Sequence, residues 1–173
     1  MIEKTFFQVL KERRSIRSFK TTAIDDTMIE KIIGACDSCP SAGGLQSFEV
    51  YRIKNKEMKD EIVRASMDQE FIAESPLLLV FCANSTSPGK YGKKARLFSI
   101  QDATIAASYA QLTACALGLS SVWVGAFNEE KVSTILGLPE NIIPIALLPI
   151  GYKDEEPQVK TTRGPHGIFH ELQ

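Results

Sequence analysis

Residues 77–83, Leu-Leu-Leu-Val-Phe-Cys-Ala, form an almost unbroken apolar run. A strand with no polar alternation has no face for water, so it belongs at the centre of a sheet covered on both sides. The covering layers must come from the rest of the chain. Residues 97–117 give the longest helical stretch, rich in Ala103, Ala106, Ala107, Ser108, Ala110, Ala114 and Ala116, and Gly118 suits its end. Small residues there let another helix, or a ligand, come close to the backbone.

Shorter elements flank these two. Residues 5–13 read as a helix with Phe6, Val9 and Leu10 on one face. Thr27-Met28-Ile29-Glu30 resembles a capping box opening a second helix, in which Met28, Ile29, Ile32, Ile33 and Cys36 repeat at helical spacing. Residues 47–53 alternate as a strand, and residues 56–66 as an amphipathic helix. Residues 121–127 read as a strand, after which Asn128 caps a helix reaching about Gly137. Residues 142–152 are apolar but carry Pro144 and Pro149, which predicts an edge or irregular strand. The expected fold class is α+β: a central, mainly antiparallel sheet flanked by helices, with the aliphatic helix as the surface of a dimer.

At 173 residues, 44% hydrophobic and 24% charged, the chain suits one globular domain over 1–173, with an extended tail from about 153. A net charge of -1 argues against a general nucleic-acid binder, so any anion site must be local. No apolar run is long enough for a membrane helix and no targeting segment is visible, so the expected location is the cytoplasm.

Three segments could build a site. Arg13, Arg14 and Arg17 surround Ser15. Guanidinium forks and a hydroxyl suit a phosphate, although a solvated basic face at a helix end has the same composition. Pro40-Ser41-Ala42-Gly43-Gly44-Leu45-Gln46 offers glycines that let backbone amides approach a planar ligand, or simply a helix-to-strand turn. Trp123-Val124-Gly125-Ala126-Phe127 leaves a strand with small residues between aromatics, as a ligand-facing backbone or as ordinary core packing.

Cys36-Asp37-Ser38-Cys39 has dithiol spacing but falls at a helix C-terminus, where the dipole does not favour a thiolate. Cys82 and Cys115 read as buried and inert. His166 and His170 stand four apart in an irregular tail, where solvated histidines are the simpler account than a metal pair. No dinucleotide, nucleophile-elbow or Walker motif is present.

In order, Arg13-Arg14-Ser15-Ile16-Arg17-Ser18-Phe19, the 40–46 turn, Gln101-Asp102 with the alanine-rich helix to Gly118-Leu119, Trp123-Val124-Gly125-Ala126-Phe127, Pro149-Ile150-Gly151-Tyr152 and Arg163 resemble the nitroreductase family of FMN enzymes. The resemblance covers nearly the whole chain. It implies a homodimer with FMN at the subunit interface. Arg13, Arg14, Ser15 and Arg163 would hold the phosphate, and Arg17 would lie by the pyrimidine side of the flavin. The turn of Pro40, Ser41, Ala42, Gly43, Gly44 and Gln46 would come from the partner, and the backbone of Val124, Gly125 and Ala126 would face flavin N5.

The implied reaction is ping-pong transfer from NADH or NADPH through FMN to a small-molecule acceptor such as a nitroaromatic or quinone. Other roles with the same fold are a flavin carrier, a dehalogenase or a flavin-fragmenting enzyme. A flavin-free dithiol protein using Cys36 and Cys39 is the reading from a different class. The chain departs from the family pattern at Gly44, where Asn is common, and at Ser47-Phe48, where Pro-Trp is common. Little room is left between 53 and 77 and over 85–96 for a substrate-shaping lid.

Overall fold

The computed structural model describes residues 4–86, 89–159, 161–164 and 167–172. Six α-helices and four strands follow in the order α1 (Phe6–Glu12), α2 (Asp26–Asp37), β1 (Phe48–Ile53), α3 (Lys56–Ala65), α4 (Phe71–Glu74), β2 (Leu77–Asn84), α5 (Ala95–Ala116), β3 (Ser120–Ser121), α6 (Glu129–Leu136) and β4 (Ile142–Gly151). The strands form one antiparallel sheet in the order β1-β2-β4-β3.

Strand β2 is buried at seven of its eight positions. Its alternate residues go to opposite faces, as strand geometry requires. Leu77, Leu79 and Phe81 join Ile32 of α2, Ala106 and Ala110 of α5 and Leu148 of β4 in one core. Leu78, Val80 and Cys82 join Ile62 and Val63 of α3, Ile72 of α4, Val132 of α6 and Leu147 of β4 in the other. Each of the buried Val, Leu, Ile and Phe side chains among them contributes about 1.5–3 kcal/mol relative to leaving it in water. The alanines on the inward face of α5 are fully buried, which lets this helix lie close to both β2 and α2.

Local signals set the helix limits. Thr5 closes a capping box with Gln8 at the start of α1. Asn128 accepts from the Lys131 amide to start α6, and Gly137 ends it in the left-handed conformation. The second helix starts two residues before the Thr27 expectation. Asp25 is its cap, with Oδ1 accepting from the Thr27 amide at 2.8 Å.

Two strand expectations are corrected. First, β4 is irregular, as one of the two expectations had it, but not at the edge: it lies between β2 and β3 and is the longest strand. Its prolines are tolerated because Pro144 sits where the register with β2 shifts, opposite Cys82. Pro149 faces its missing donor away from β2, since its carbonyl accepts from Val122 on the β3 side. Second, the strand expected over 121–127 shrinks to Ser120–Ser121 plus one isolated bridge, Val124 with Leu147. Pro149 explains the break: Val122 donates to it at 3.4 Å and receives nothing back.

Phe81 anchors the α2–α5 face and is fully buried. Phe81→Ala is expected to lower unfolding free energy by about 3–5 kcal/mol, measured by urea denaturation.

Candidate functional site

The arginine segment leaves α1 as an extended chain stitched to the far edge of the sheet. The Ile16 amide donates to the Ser121 carbonyl, the Lys20 amide to Tyr152, and the Asp154 amide to Ser18. The Arg17 amide donates to the Glu155 carboxylate. Ile16 is buried between Ser15 and Arg17, which face outward and are exposed, and Phe19 is buried further on. Gly151 makes this docking possible. A Cβ there would stand 2.8 Å from Pro76 Cδ and 3.0 Å from Phe19 Cδ1.

Arg13 and Arg14 are half-buried and line an open cavity of about 590 Å³ with Lys4, Lys11 and Lys153, bordered by the exposed Pro157, Gln158 and Val159. Glu12 is its one acidic lining residue, bonded to Lys4 at 2.8 Å. That hydrogen bond raises the Lys4 pKa and lowers that of Glu12. The remaining cations leave the cavity strongly positive within a chain of net charge -1. Arg14 is partly committed, since its Nη1 donates to the Lys11 and Arg13 carbonyls at the end of α1. Arg163 is exposed and does not line this cavity.

Val124 spends both its amide and its carbonyl on Leu147, at 3.0 and 2.9 Å. Only Gly125 and Ala126 continue past the sheet. Both are exposed, and their amides have no acceptor among the described residues. The Ala126 carbonyl accepts from Gln69 Nε2.

The glycine turn sits at the opposite corner. It is a short 3₁₀ turn, Ala42–Gly44, with Gly43 at φ 60° and Gly44 at φ 71°. Both conformations favour glycine. A Cβ at Gly44 would meet nothing within 4 Å, so that backbone faces open space. Gln46 folds back, its Nε2 donating to the Asp37 carbonyl. Asp102, buried in α5, holds the turn: Oδ1 accepts from the Ala42 amide at 2.8 Å and Oδ2 from the Ser47 amide at 3.1 Å. A proline in place of Ser47 could not donate the second bond. Beside the turn lies a second cavity of about 680 Å³, lined by Tyr91, Phe98, Ile100, Thr104 and Ile105.

The two corners are separated by α5. Asp102 anchors the turn, and Cys115, thirteen residues on, lines the arginine cavity. At about 1.5 Å per residue that is about 20 Å along the axis alone. The arginine segment therefore lies well away from the glycine turn within one protomer.

Sequence reasoning did not find the anchoring role of Asp102. Its signal was a lone carboxylate at helical spacing from the buried Ala106 and Ala110. The cysteine spacing leads nowhere chemically. Cys36 and Cys39 are both buried free thiols, and burial pushes the Cys36 thiol up to about 12 and Cys39 upward as well. Burial likewise pushes Cys82 up to about 12 and raises Cys115. His166 lies outside the described residues, so the His166–His170 spacing has no structural counterpart. Among the described residues no helix is long and apolar enough to cross a membrane.

Comparison with known proteins places these features in one family. The model of the nitroreductase family matches residues 10–70 and 64–152. The oxygen-insensitive NADPH nitroreductase of Salmonella typhimurium is 27% identical over 96% of this chain and 73% of its own. The FMN reductase [NAD(P)H] of Bacillus subtilis is 28% identical over 94% and 71%. The structure of the NADPH:FMN oxidoreductase from Vibrio harveyi complexed with NAD+ superposes with a TM-score of 0.91 at 26% identity, covering 97% of this chain and 77% of that one.

Two outcomes follow from the geometry. Asp102→Asn should cost about 1–3 kcal/mol, because the amide presents a donor where two backbone N–H groups need acceptors, and amide exchange at Ala42 and Ser47 should quicken. At pH 8 the four native thiols should react with a thiol reagent far more slowly than in urea, because burial holds them protonated.

Proposed function

As the chain belongs to the nitroreductase family, we propose that it is an NAD(P)H-dependent FMN oxidoreductase, working as a homodimer with two composite flavin sites. FMN held there would supply the redox chemistry that links a nicotinamide donor to a second substrate, a nitroaromatic, quinone or similar small acceptor, in a ping-pong reaction. The chain itself would serve as a single FMN-binding domain over 1–173, with the tail from about 153 bordering the site.

The observation that carries the homodimer is the separation of the two corners by α5. A two-fold axis crossing this helix midway between Asp102 and Cys115, beside Tyr109, brings the glycine turn of one protomer against the arginine segment of its partner. Tyr109 is exposed, and α1, which packs on α5, exposes Phe6 and Phe7 at 62% and 80%. An interface along this face would cover them.

The residues fit the cofactor. A phosphate suits the positive cavity, held by Arg13 and Arg14 with the exposed Ser15 hydroxyl beside them. Arg163 joins them if the tail folds inward on binding. Exposed Arg17 offers its charge to the pyrimidine side of the ring, where it stabilises negative charge. Gly125 and Ala126 supply free amides to the ring edge, while Val124 acts as the sheet anchor that aims them. From the partner, the turn of Ala42, Gly43 and Gly44 comes to the flavin with the Gly44 backbone open, and Pro40, Ser41 and Gln46 shape it. The protein thus supplies orientation and charge, and the cofactor supplies the redox chemistry.

Purified protein should carry FMN that bleaches on mixing with NAD(P)H under anaerobic conditions. Arg13→Ala should weaken FMN binding by roughly 10- to 100-fold, equivalent to losing a charged hydrogen bond of about 1.5–3 kcal/mol. Tyr109→Arg should yield a folded monomer that has lost FMN. A monomer that keeps FMN at wild-type affinity would refute the composite site, and an unbleached flavin would refute the oxidoreductase.

A further inference from the structure

The segment preceding α5 is Gly-Lys-Tyr-Gly-Lys-Lys-Ala-Arg, residues 89–96, and from 89 to 101 the chain has no acidic residue. Lys90, Lys93, Lys94 and Arg96 are all exposed, and among the described residues no carboxylate pairs with them. The next acid along the chain, Asp102, is turned inward and saturated by the Ala42 and Ser47 amides. Four positive charges therefore stand uncompensated on a chain whose net charge is -1.

This segment does not wave free of the site. It begins with the 3₁₀ stretch Gly89–Lys94 and lies across the glycine turn. A Cβ on Gly43 would collide with Tyr91 Oη and fall 3.1 Å from Lys90 Nζ, so both side-chain ends rest directly on that backbone. Tyr91 packs edge-on against Phe98 at 4.9 Å, with Lys90 Nζ 5.2 Å from the tyrosine ring. Tyr91 and Phe98 line the cavity of about 680 Å³ beside the turn. Lys90 thus stands at the edge of the cavity that adjoins the turn, and Lys93, Lys94 and Arg96 continue its positive charge along the same exposed segment as a basic rim.

We propose that this rim selects a donor bearing an extra phosphate, so that NADPH rather than NADH is the reductant. The proposal rests on the flavin oxidoreductase reading and refines its donor. The two nicotinamides share the diphosphate bridge. They differ by one phosphate monoester on the adenosine ribose, which adds about 1.5–2 negative charges at neutral pH. Cations act on such a group within about 8 Å at physiological salt, so only a local cluster can tell the two donors apart. The aromatic and aliphatic wall of Tyr91, Phe98, Ile100 and Ile105 offers an apolar surface to the nucleoside while the rim meets the phosphate.

The test has two arms on the FMN-loaded protein. In stopped-flow reduction, the second-order rate constant with NADPH should exceed that with NADH by about tenfold or more, and the ratio should shrink as salt rises. Lys93→Glu/Lys94→Glu, with FMN content and melting temperature unchanged, should bring the ratio close to one. In calorimetric titration, adenosine 2′,5′-bisphosphate should bind at least about tenfold tighter than AMP, a difference abolished in the same variant. Equal affinities for the two nucleotides, or a donor ratio untouched by the double substitution, would overturn the phosphate rim even in an active flavin reductase. Retained nucleotide discrimination with a flavin that neither donor reduces would instead overturn the oxidoreductase reading and support the rim.

Discussion

Everything in this molecule hangs on a strand that water cannot touch from either side. Because β2 is apolar at both parities, helices must cover both faces of the sheet, and the chain divides its helices accordingly. Helices α2 and α5 take one face and α3, α4 and α6 the other. The price of two-sided burial is that no polar group can be placed in the middle of the sheet, so chemistry is driven to its corners. Both candidate half-sites lie where the backbone leaves the ladder: Gly125 and Ala126 keep free amides, and at the glycine turn Asp102 takes those of Ala42 and Ser47.

The edges of that sheet are made by deliberate interruption. Proline at 149 deprives the strand edge of one ladder bond, so that beyond Ser121 regular pairing gives way to the single Val124–Leu147 bridge, after which Gly125 and Ala126 leave the sheet with their amides free. Glycine at 151 removes a side chain so that Phe19 can cross the end of β4 and pin the arginine segment. Aspartate at 102 replaces the missing strand partner of the glycine turn with a carboxylate. Each device is a single residue that converts a regular element into a positioned loop.

Much of this was legible from the residues. The apolar run at 77–83, the alanine helix, the cap at Asn128 and the glycine at 137 all act through local patterns, and the structure follows them. The placement of β4 was not, because proline reports only a missing N–H and cannot say which side of the strand it faces; pairing with β2 on the other side decided it. The start of α2 was misread because Thr27 and Asp25 are both good capping residues and the competition is settled by geometry. Residues 121–127 looked like a full strand because Val122 and Val124 alternate correctly, whereas the break is caused by a residue almost thirty positions away. For the site, the basic and glycine segments were visible, but their distance apart was not. Separation in space depends on the sheet order, which no single segment encodes.

The length of α5 has an evolutionary corollary. In the proposed dimer the helix is a spacer read twice, once in each direction, so the two ends must stay in rotational phase with the partner's ends. Adding one residue between Asp102 and Cys115 would turn one end by about 100° relative to the other and push it about 1.5 Å along the axis, and symmetry would impose the same error at both sites. Loops elsewhere can absorb added residues as the family diverges. This stretch of thirteen residues cannot, and length variation among relatives should therefore pile up outside it.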